Sequence, residues 1–411
     1  MKPPPLNKVL FWIIAAGIIL YAIKEYFTQL NMEYTFTETK YGWYYKLETL
    51  ANVLLTVASV MSFILYRKYF PLFVSLCYVG LIILIFICSI NDFTKTLKNP
   101  NFFYTIRGIG TFINFGLMFY AANYKYLQKL LKIFYGICIF FIVAGIINLG
   151  KVGVGASRMQ YLWAIRDFAV VLIWVFPFFF LQESENKKMN IINTGIFFIV
   201  FVFVLCTGSR SYLIIYFLYL IVKFWHLLRT RNGIIFIVAA VVIGVGSFFI
   251  FSGSSMNPAL EGAFNILSER TDEDSRSSQL KEFINQWDTD YLLQGVGPLK
   301  TWYWSTIEDY YYYLDNQFLL MGWWAGLPAL FVYVYLLVRT CFSKPEIRLY
   351  KDVRGTRMII GMWILACLGF AIYVTISPSI FYYFIELMMG YHICKYSKIS
   401  DFEDQLEQAD T

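Results

Sequence analysis

Residues Ile191–Trp225 read IINTGIFFIVFVFVLCTGSRSYLIIYFLYLIVKFW: two apolar runs about a short polar tip, Thr207-Gly208-Ser209-Arg210. An α-helix rises about 1.5 Å per residue, so each run covers most of a hydrocarbon core about 30 Å thick. Neither run alternates polar with apolar residues, which argues against barrel strands. Lipid offers no partner for backbone N–H or C=O, so a spanning segment must satisfy its own. The stretch predicts a transmembrane helical hairpin.

The same pattern recurs in both directions. The 411-residue chain is 59% hydrophobic and only 15% charged, with a mean hydropathy of +0.57, outside the range of a soluble domain. About twelve spans are expected: Val9–Ile23, Thr49–Tyr66, Pro71–Ile90, Gly108–Ala122, Leu131–Leu149, Phe168–Leu181, Ile191–Cys206, Ser211–Trp225, Gly233–Phe251, Gln317–Leu337, Met358–Val374 and Ile380–Ile393. The expected fold is an all-α polytopic membrane protein. Its bundle (residues 1–252) carries spans 1–9, a large loop (253–315) follows, spans 10–12 occupy 316–394, and a tail covers 395–411. No cleavage site follows the first apolar run, so it reads as a retained helix.

Most of the 34 Lys and Arg residues fall on the side that holds both termini, among them Arg67, Lys68, Lys125, Lys129, Lys187, Lys188, Arg339 and Lys395. The positive-inside rule makes that side cytoplasmic and sends the 253–315 loop outside. The formal charge of +7 is then an orientation signal and does not argue for nucleic acid. All seven cysteines lie in or beside spans, so the loop has no disulfide framework or structural zinc site. The two histidines, His226 and His392, fall near cytoplasmic span ends, which excludes histidine acid–base chemistry outside. No phosphate-binding G-x-x-x-x-G-K-[ST] loop and no internal repeat occur.

Several polar residues facing outward have two readings each. Arg210 at the hairpin tip is either a snorkelling turn residue or a fork of donors for phosphate oxygens. Arg158, after the flexible Gly153–Ser157 stretch, has the reach of a ligand, whereas Arg166-Asp167 reads first as a locally neutralised pair. In the loop, Arg270 and Arg276 lie among four carboxylates, either as a solvated turn or as an anion site. Leu280, Phe283, Ile284 and Trp287 recur at helical spacing and predict an amphipathic helix on the membrane surface, ended by Gly295-Val296-Gly297-Pro298. Trp302, Trp304 and Tyr312 belong to an aromatic run that fits an interfacial belt and also fits stacking on sugars. Asp315 before span 10 reads as an N-cap or as a general base.

Taken in order, Thr207-Gly208-Ser209-Arg210-Ser211, Ser275-Arg276 upstream of Gly295-Val296-Gly297-Pro298, and Asp315-Asn316-Gln317-Phe318 entering a span resemble the Wzy-type O-antigen polymerase and O-antigen ligase superfamily. The match covers roughly Cys206 to Leu330. The resemblance implies a GT-C-like, metal-independent glycosyltransferase without a cofactor, in a bacterial inner membrane, with its site on the periplasmic or other extracytoplasmic face. Its substrates would be undecaprenyl-diphosphate-linked repeat units, and its partners a flippase and a chain-length regulator.

The family's diphosphate-holding arginines correspond to Arg210 and Arg276. Arg158 and Arg270 are further candidates, and Asp315 would act on the acceptor hydroxyl. Ligases usually show His-Asn where this chain has Asp315-Asn316, which favours a polymerase making O-antigen, capsule or exopolysaccharide. A ligase transferring glycan to lipid A core or protein, and a non-enzymatic lipid or polysaccharide transporter, are the alternatives. A transporter predicts charges buried within spans, where Glu386 is the main exception to nearly uncharged interiors.

Overall fold

A computed structural model describes residues 6–30, 43–89, 109–151, 158–182, 186–207, 210–225, 275–297, 300–305, 308–311, 314, 316–346, 354–368 and 379–395. The helices are α1 (Leu6–Leu30), α2 (Tyr44–Tyr66), α3 (Leu72–Ser89), α4 (Ile109–Asn114), α5 (Tyr124–Lys151), α6 (Arg158–Leu181), α7 (Lys187–Thr207) and α8 (Arg210–Lys223). They continue with α9 (Ser275–Asn285), α10 (Gln317–Phe342), α11 (Arg354–Ala366) and α12 (Ile380–Ile393). A 3₁₀ stretch, Phe115–Ala122, extends α4. The ninth expected span, Gly233–Phe251, lies outside the described residues.

Among the described residues, seven helices are long and apolar enough to cross a membrane: those at α1, α2, α3, α5, α6, α7 and α10. Their outer faces agree with that solvent. On α3, Leu72, Leu76, Val79, Ile83 and Phe86 recur every three or four residues and all stay exposed, while Val74, Tyr78, Leu81 and Ile85 are buried. A water-soluble helix shows the reverse. The chain is an all-α polytopic membrane protein.

Ring contacts give the directions. Phe180 stacks on Phe197 at 3.8 Å, and Phe197 on Tyr216 at 4.1 Å, so α6, α7 and α8 run up, down and up around two short turns. Helix α7 ends at Thr207 and α8 begins at Arg210, on either side of the expected hairpin tip. Helix α1 packs on α2 with Lys24 beside Glu48, and on α6 with Tyr26 beside Phe168. The start of α12 meets Glu25, and the start of α11 meets Leu181 and Gln182.

These contacts divide the bundle into two ends. Arg67, Lys68, Lys125, Lys187, Lys223, Arg339 and Lys395 share one, the basic end. The C-terminal ends of α1, α3 and α7 and the N-terminal ends of α2, α6, α8 and α12 share the other. Helix α9 and a small antiparallel hairpin, β1 (Trp302–Trp304) with β2 (Asp309–Tyr311), sit over that second, loop end. The hairpin was not anticipated by the all-α reading.

The helix at the expected span 10, Gln317–Leu337, is broken at Gly326, whose φ of 79° and ψ of 167° are non-helical. The side chain of Gln317 donates to the Tyr333 hydroxyl, and Phe318 lies 6.2 Å from the Tyr333 ring. Sixteen residues of straight helix would separate Gln317 from Tyr333 by about 24 Å, beyond the reach of both side chains. The two arms of α10 therefore fold toward each other at Gly326-Leu327-Pro328.

Candidate functional site

The break in α10 is where the loop attaches. A helix carbonyl accepts from the N–H four residues on. At Trp323 that donor would be Leu327, which instead donates to the Leu292 carbonyl at 2.8 Å. At Trp324 it would be Pro328, which has no N–H. The two freed carbonyls accept from Val296 and Gly297 of the loop, both at 2.9 Å. Gly295, Gly297 and Gly326 all hold positive φ. A Cβ on Gly295 would lie 2.2 Å from the Trp324 oxygen, and one on Gly326 2.2 Å from the Leu293 oxygen, so only glycine admits this approach.

Above this clamp, α9 packs inward. Phe283 is 1% exposed, with ring centroids 5.5 Å from Trp302 and 5.3 Å from Trp323. The apolar face expected on the membrane surface is largely spent on protein; Ile284, half exposed, is the part left outside. Gln286 holds β1 by accepting from the Tyr303 N–H at 3.0 Å and donating to its carbonyl at 2.7 Å. Glu282 accepts from the Ser305 N–H at 2.8 Å. Helix α9 ends at Asn285, well before Gly295; a 3₁₀ turn, Thr289–Tyr291, comes between. The glycine pair belongs to the clamp on α10, not to the end of the amphipathic helix.

Arg158 is the first residue of α6, Arg210 the first of α8 and Arg276 the second of α9, with their side chains outside the described part. Both Arg158 and Arg210 open helices at the loop end, the end over which α9 sits. Asp315, Arg270 and Tyr312 lie outside the described residues. The N-cap of α10 is Asn316, one residue after Asp315: its Oδ1 accepts from the Leu319 N–H at 3.1 Å and its Nδ2 donates to the Leu368 carbonyl at 3.1 Å. Trp302 is 3% exposed against Phe283, and Trp304 is half-buried beside it at 6.0 Å. Tyr303 and Tyr310, paired at 5.3 Å, are exposed rings on the hairpin.

Beneath the loop end lies a buried polar cluster, of which the sequence points only to Glu386 and the Arg166-Asp167 pair. Lys24 and Glu25, expected as flanking residues just past span 1, are 3% and 4% exposed inside α1. Lys24 pairs with Glu48 at 3.1 Å. Glu25 accepts from the Ile380 N–H at 3.1 Å, satisfying one of the free donors that open α12. Gln29 accepts from the Asp167 N–H at 2.9 Å, and Arg166 is exposed.

Deeper, Asn52 accepts from both the Tyr21 and Tyr383 hydroxyls. Tyr383 borders a cavity of about 20 Å³, room for one water, lined also by Asn114, Gln317, Tyr333, Trp363 and Glu386. Glu386 is 6% exposed, and its Oε2 has no hydrogen-bond partner among the described residues. The sequence signal for this cluster is a Lys-Glu pair whose Glu25 lies five residues before the end of α1, a long apolar helix. Hydropathy windows end spans at charges and so hid it.

Among the described residues, no three His, Cys, Asp or Glu side chains converge as a metal-ligand group. No protein-family model matches the chain, and no curated protein matches it.

Proposed function

We propose that this protein is a membrane-embedded glycosyltransferase that polymerises lipid-diphosphate-linked glycan repeat units, with the twelve-span topology and outward-facing loop derived from its charge pattern. The reading rests on one observation above others: the helices that open with Arg158 and Arg210 start at the same end of the bundle as α9, which carries Arg276. A guanidinium in the first turn of a helix opposes the helix dipole, and a bound anion reverses that cost.

In this proposal Arg210 and Arg276, joined by Arg158 and Arg270, hold the diphosphate of the donor. Asp315 takes the proton of the acceptor hydroxyl, whose oxygen bonds to the anomeric carbon as the carbon–oxygen bond to the diphosphate breaks. Undecaprenyl diphosphate leaves, its charge stabilised by the arginines in a poorly hydrated site, commonly the largest catalytic contribution. Trp304 and Tyr312 belong to the sugar-facing wall, and Trp302, buried against Phe283, supports it from behind. Membranes that make the polymer test the reading. Arg210→Ala or Arg276→Ala should leave single repeat units on lipid. Normal chain lengths from both refute it, and long glycan left on undecaprenyl diphosphate points to a ligase.

A transporter of an anionic lipid is the second reading, favoured by the buried Lys24, Glu25 and Glu386. Purified protein in vesicles loaded with lipid-linked repeat unit separates the two: polymer formation supports transfer, and movement across the bilayer without polymer supports transport.

A further inference from the structure

The basic end holds a cavity of about 230 Å³ between the C-terminal ends of α10 and α12 and the turn before α3. Three cations line it, Arg339, Lys344 and Lys395, against one carboxylate, Glu346. We propose that this cavity binds the phosphate of an anionic phospholipid headgroup, with the acyl chains lying along the lip formed by Phe73 and Phe342.

The inner wall is built and polar. His392 lines it at 1% exposure, with Nδ1 3.2 Å from the Ser343 carbonyl, while its buried Nε2 has no hydrogen-bond partner among the described residues. The same carbonyl accepts from Arg357 Nη2 at 3.2 Å, which brings a fourth cation behind the wall. Lys395 is fixed at the rim because its backbone N–H donates to the Tyr69 carbonyl at 2.7 Å. Arg339 is held at the mouth with its guanidinium carbon 5.6 Å from the Phe73 ring centroid, a cation–π contact that leaves its donors for a ligand.

The lip selects a lipid over a soluble anion. Phe342 is 73% exposed and Leu72, beside Phe73, is 75% exposed, on the faces of α10 and α3 that the bundle leaves to hydrocarbon. Cationic pockets with such neighbours are suited to headgroups of anionic lipids, where each Lys or Arg contributes about 1 kcal/mol, or roughly fivefold in affinity. This site does not depend on the glycosyl-transfer reading.

The test titrates the full chain, purified in detergent, with phosphatidylglycerol and phosphatidylcholine of matched chains, reading bound lipid by native mass spectrometry. The wild type should prefer phosphatidylglycerol. Arg339→Gln/Lys344→Gln/Lys395→Gln should lose that preference at least tenfold, whereas Lys125→Gln/Lys129→Gln/Lys132→Gln at the same end should keep it. If the pocket variant fails to fold, Lys344→Gln alone should weaken binding about fivefold. Glu346→Gln should tighten it. Phe342→Ser should weaken the lipid and leave inorganic phosphate unaffected. Absence of a lipid preference in the wild type, equal loss in the control variant, or displacement of the lipid by millimolar inorganic phosphate overturns the proposal.

Discussion

The N–H of Gly297 donates to the carbonyl of Trp324 at 2.9 Å, filling the place that Pro328 leaves empty. A loop residue thus completes the hydrogen bonding of a broken helix nearly thirty residues further along the chain. Lipid-exposed backbone cannot carry an unpaired carbonyl, and irregular backbone is tolerated only where protein covers it. The Leu292–Gly297 segment provides that cover and ties the chain that follows α9 to the break in α10.

Gly295→Ala and Gly326→Ala should therefore each unfold the clamp. Both glycines hold positive φ, and each new Cβ would meet a backbone oxygen at 2.2 Å, which no rotamer change relieves. Strain and overpacking together cost about 3 kcal/mol or more. In detergent, both variants should melt earlier than the wild type and expose the 275–316 region to protease. Pro328→Ala should be milder, because the restored N–H only competes with Gly297 for one carbonyl.

Phe283→Ala should loosen the same region without touching the bundle. Its ring fills the space between Trp302 and Trp323, and truncating a buried Phe costs about 3–5 kcal/mol. Hydrogen exchange should rise in α9 and the β-hairpin and stay unchanged in α5 and α6. Uniform exchange across the chain would show instead that the loop end and the bundle unfold together.

Lys24→Met should destabilise strongly, and Lys24→Met/Glu48→Leu should recover much of the loss. Removing one member of a buried ion pair leaves an uncompensated charge, a cost of about 3–5 kcal/mol for full burial. Glu48 keeps 18% of its side-chain exposure, which reduces that figure. A double-mutant cycle on melting temperature measures the coupling. Additive single effects would mean that Lys24 stabilises through its aliphatic stem alone.

How far the sequence led differs by element for a physical reason. The expected apolar run Ile380–Ile393 has the bounds of α12, because an unbroken apolar run between polar flanks marks a helix. The expected run Ser211–Trp225 corresponds to α8, Arg210–Lys223. The break in α10 was invisible, since Leu320–Leu337 stays apolar across it and hydropathy records composition, not the path of the backbone. Pro328 two residues after Gly326 was the available signal. Charge ordinarily marks a span boundary, which hides Lys24 and Glu25 in the sequence, although partners on α2 and α12 hold them inside the bundle. For the site, the chemistry of Arg158, Arg210 and Arg276 is legible in the sequence, but the end of the bundle at which their helices start depends on helix directions that no short motif encodes.

Close helix approach gives the last contrast. Gly390 on α12 faces the 3₁₀ stretch after α4, and a Cβ there would lie 1.8 Å from the Met118 oxygen. Small residues at such crossings let backbones meet, and in lipid that packing replaces the hydrophobic drive between helices. Gly390→Ala must push the stretch away, and Glu386, one turn earlier on α12, borders the cavity that would widen with it. A loss of several degrees in melting temperature and greater water access to Glu386 are expected. Gly80 on α3 has nothing within 4 Å of its Cβ position, so Gly80→Ala should be neutral or stabilising by up to about 1 kcal/mol through helix propensity. If the two variants melt alike, the approach of α12 to Met118 is not what holds these helices together.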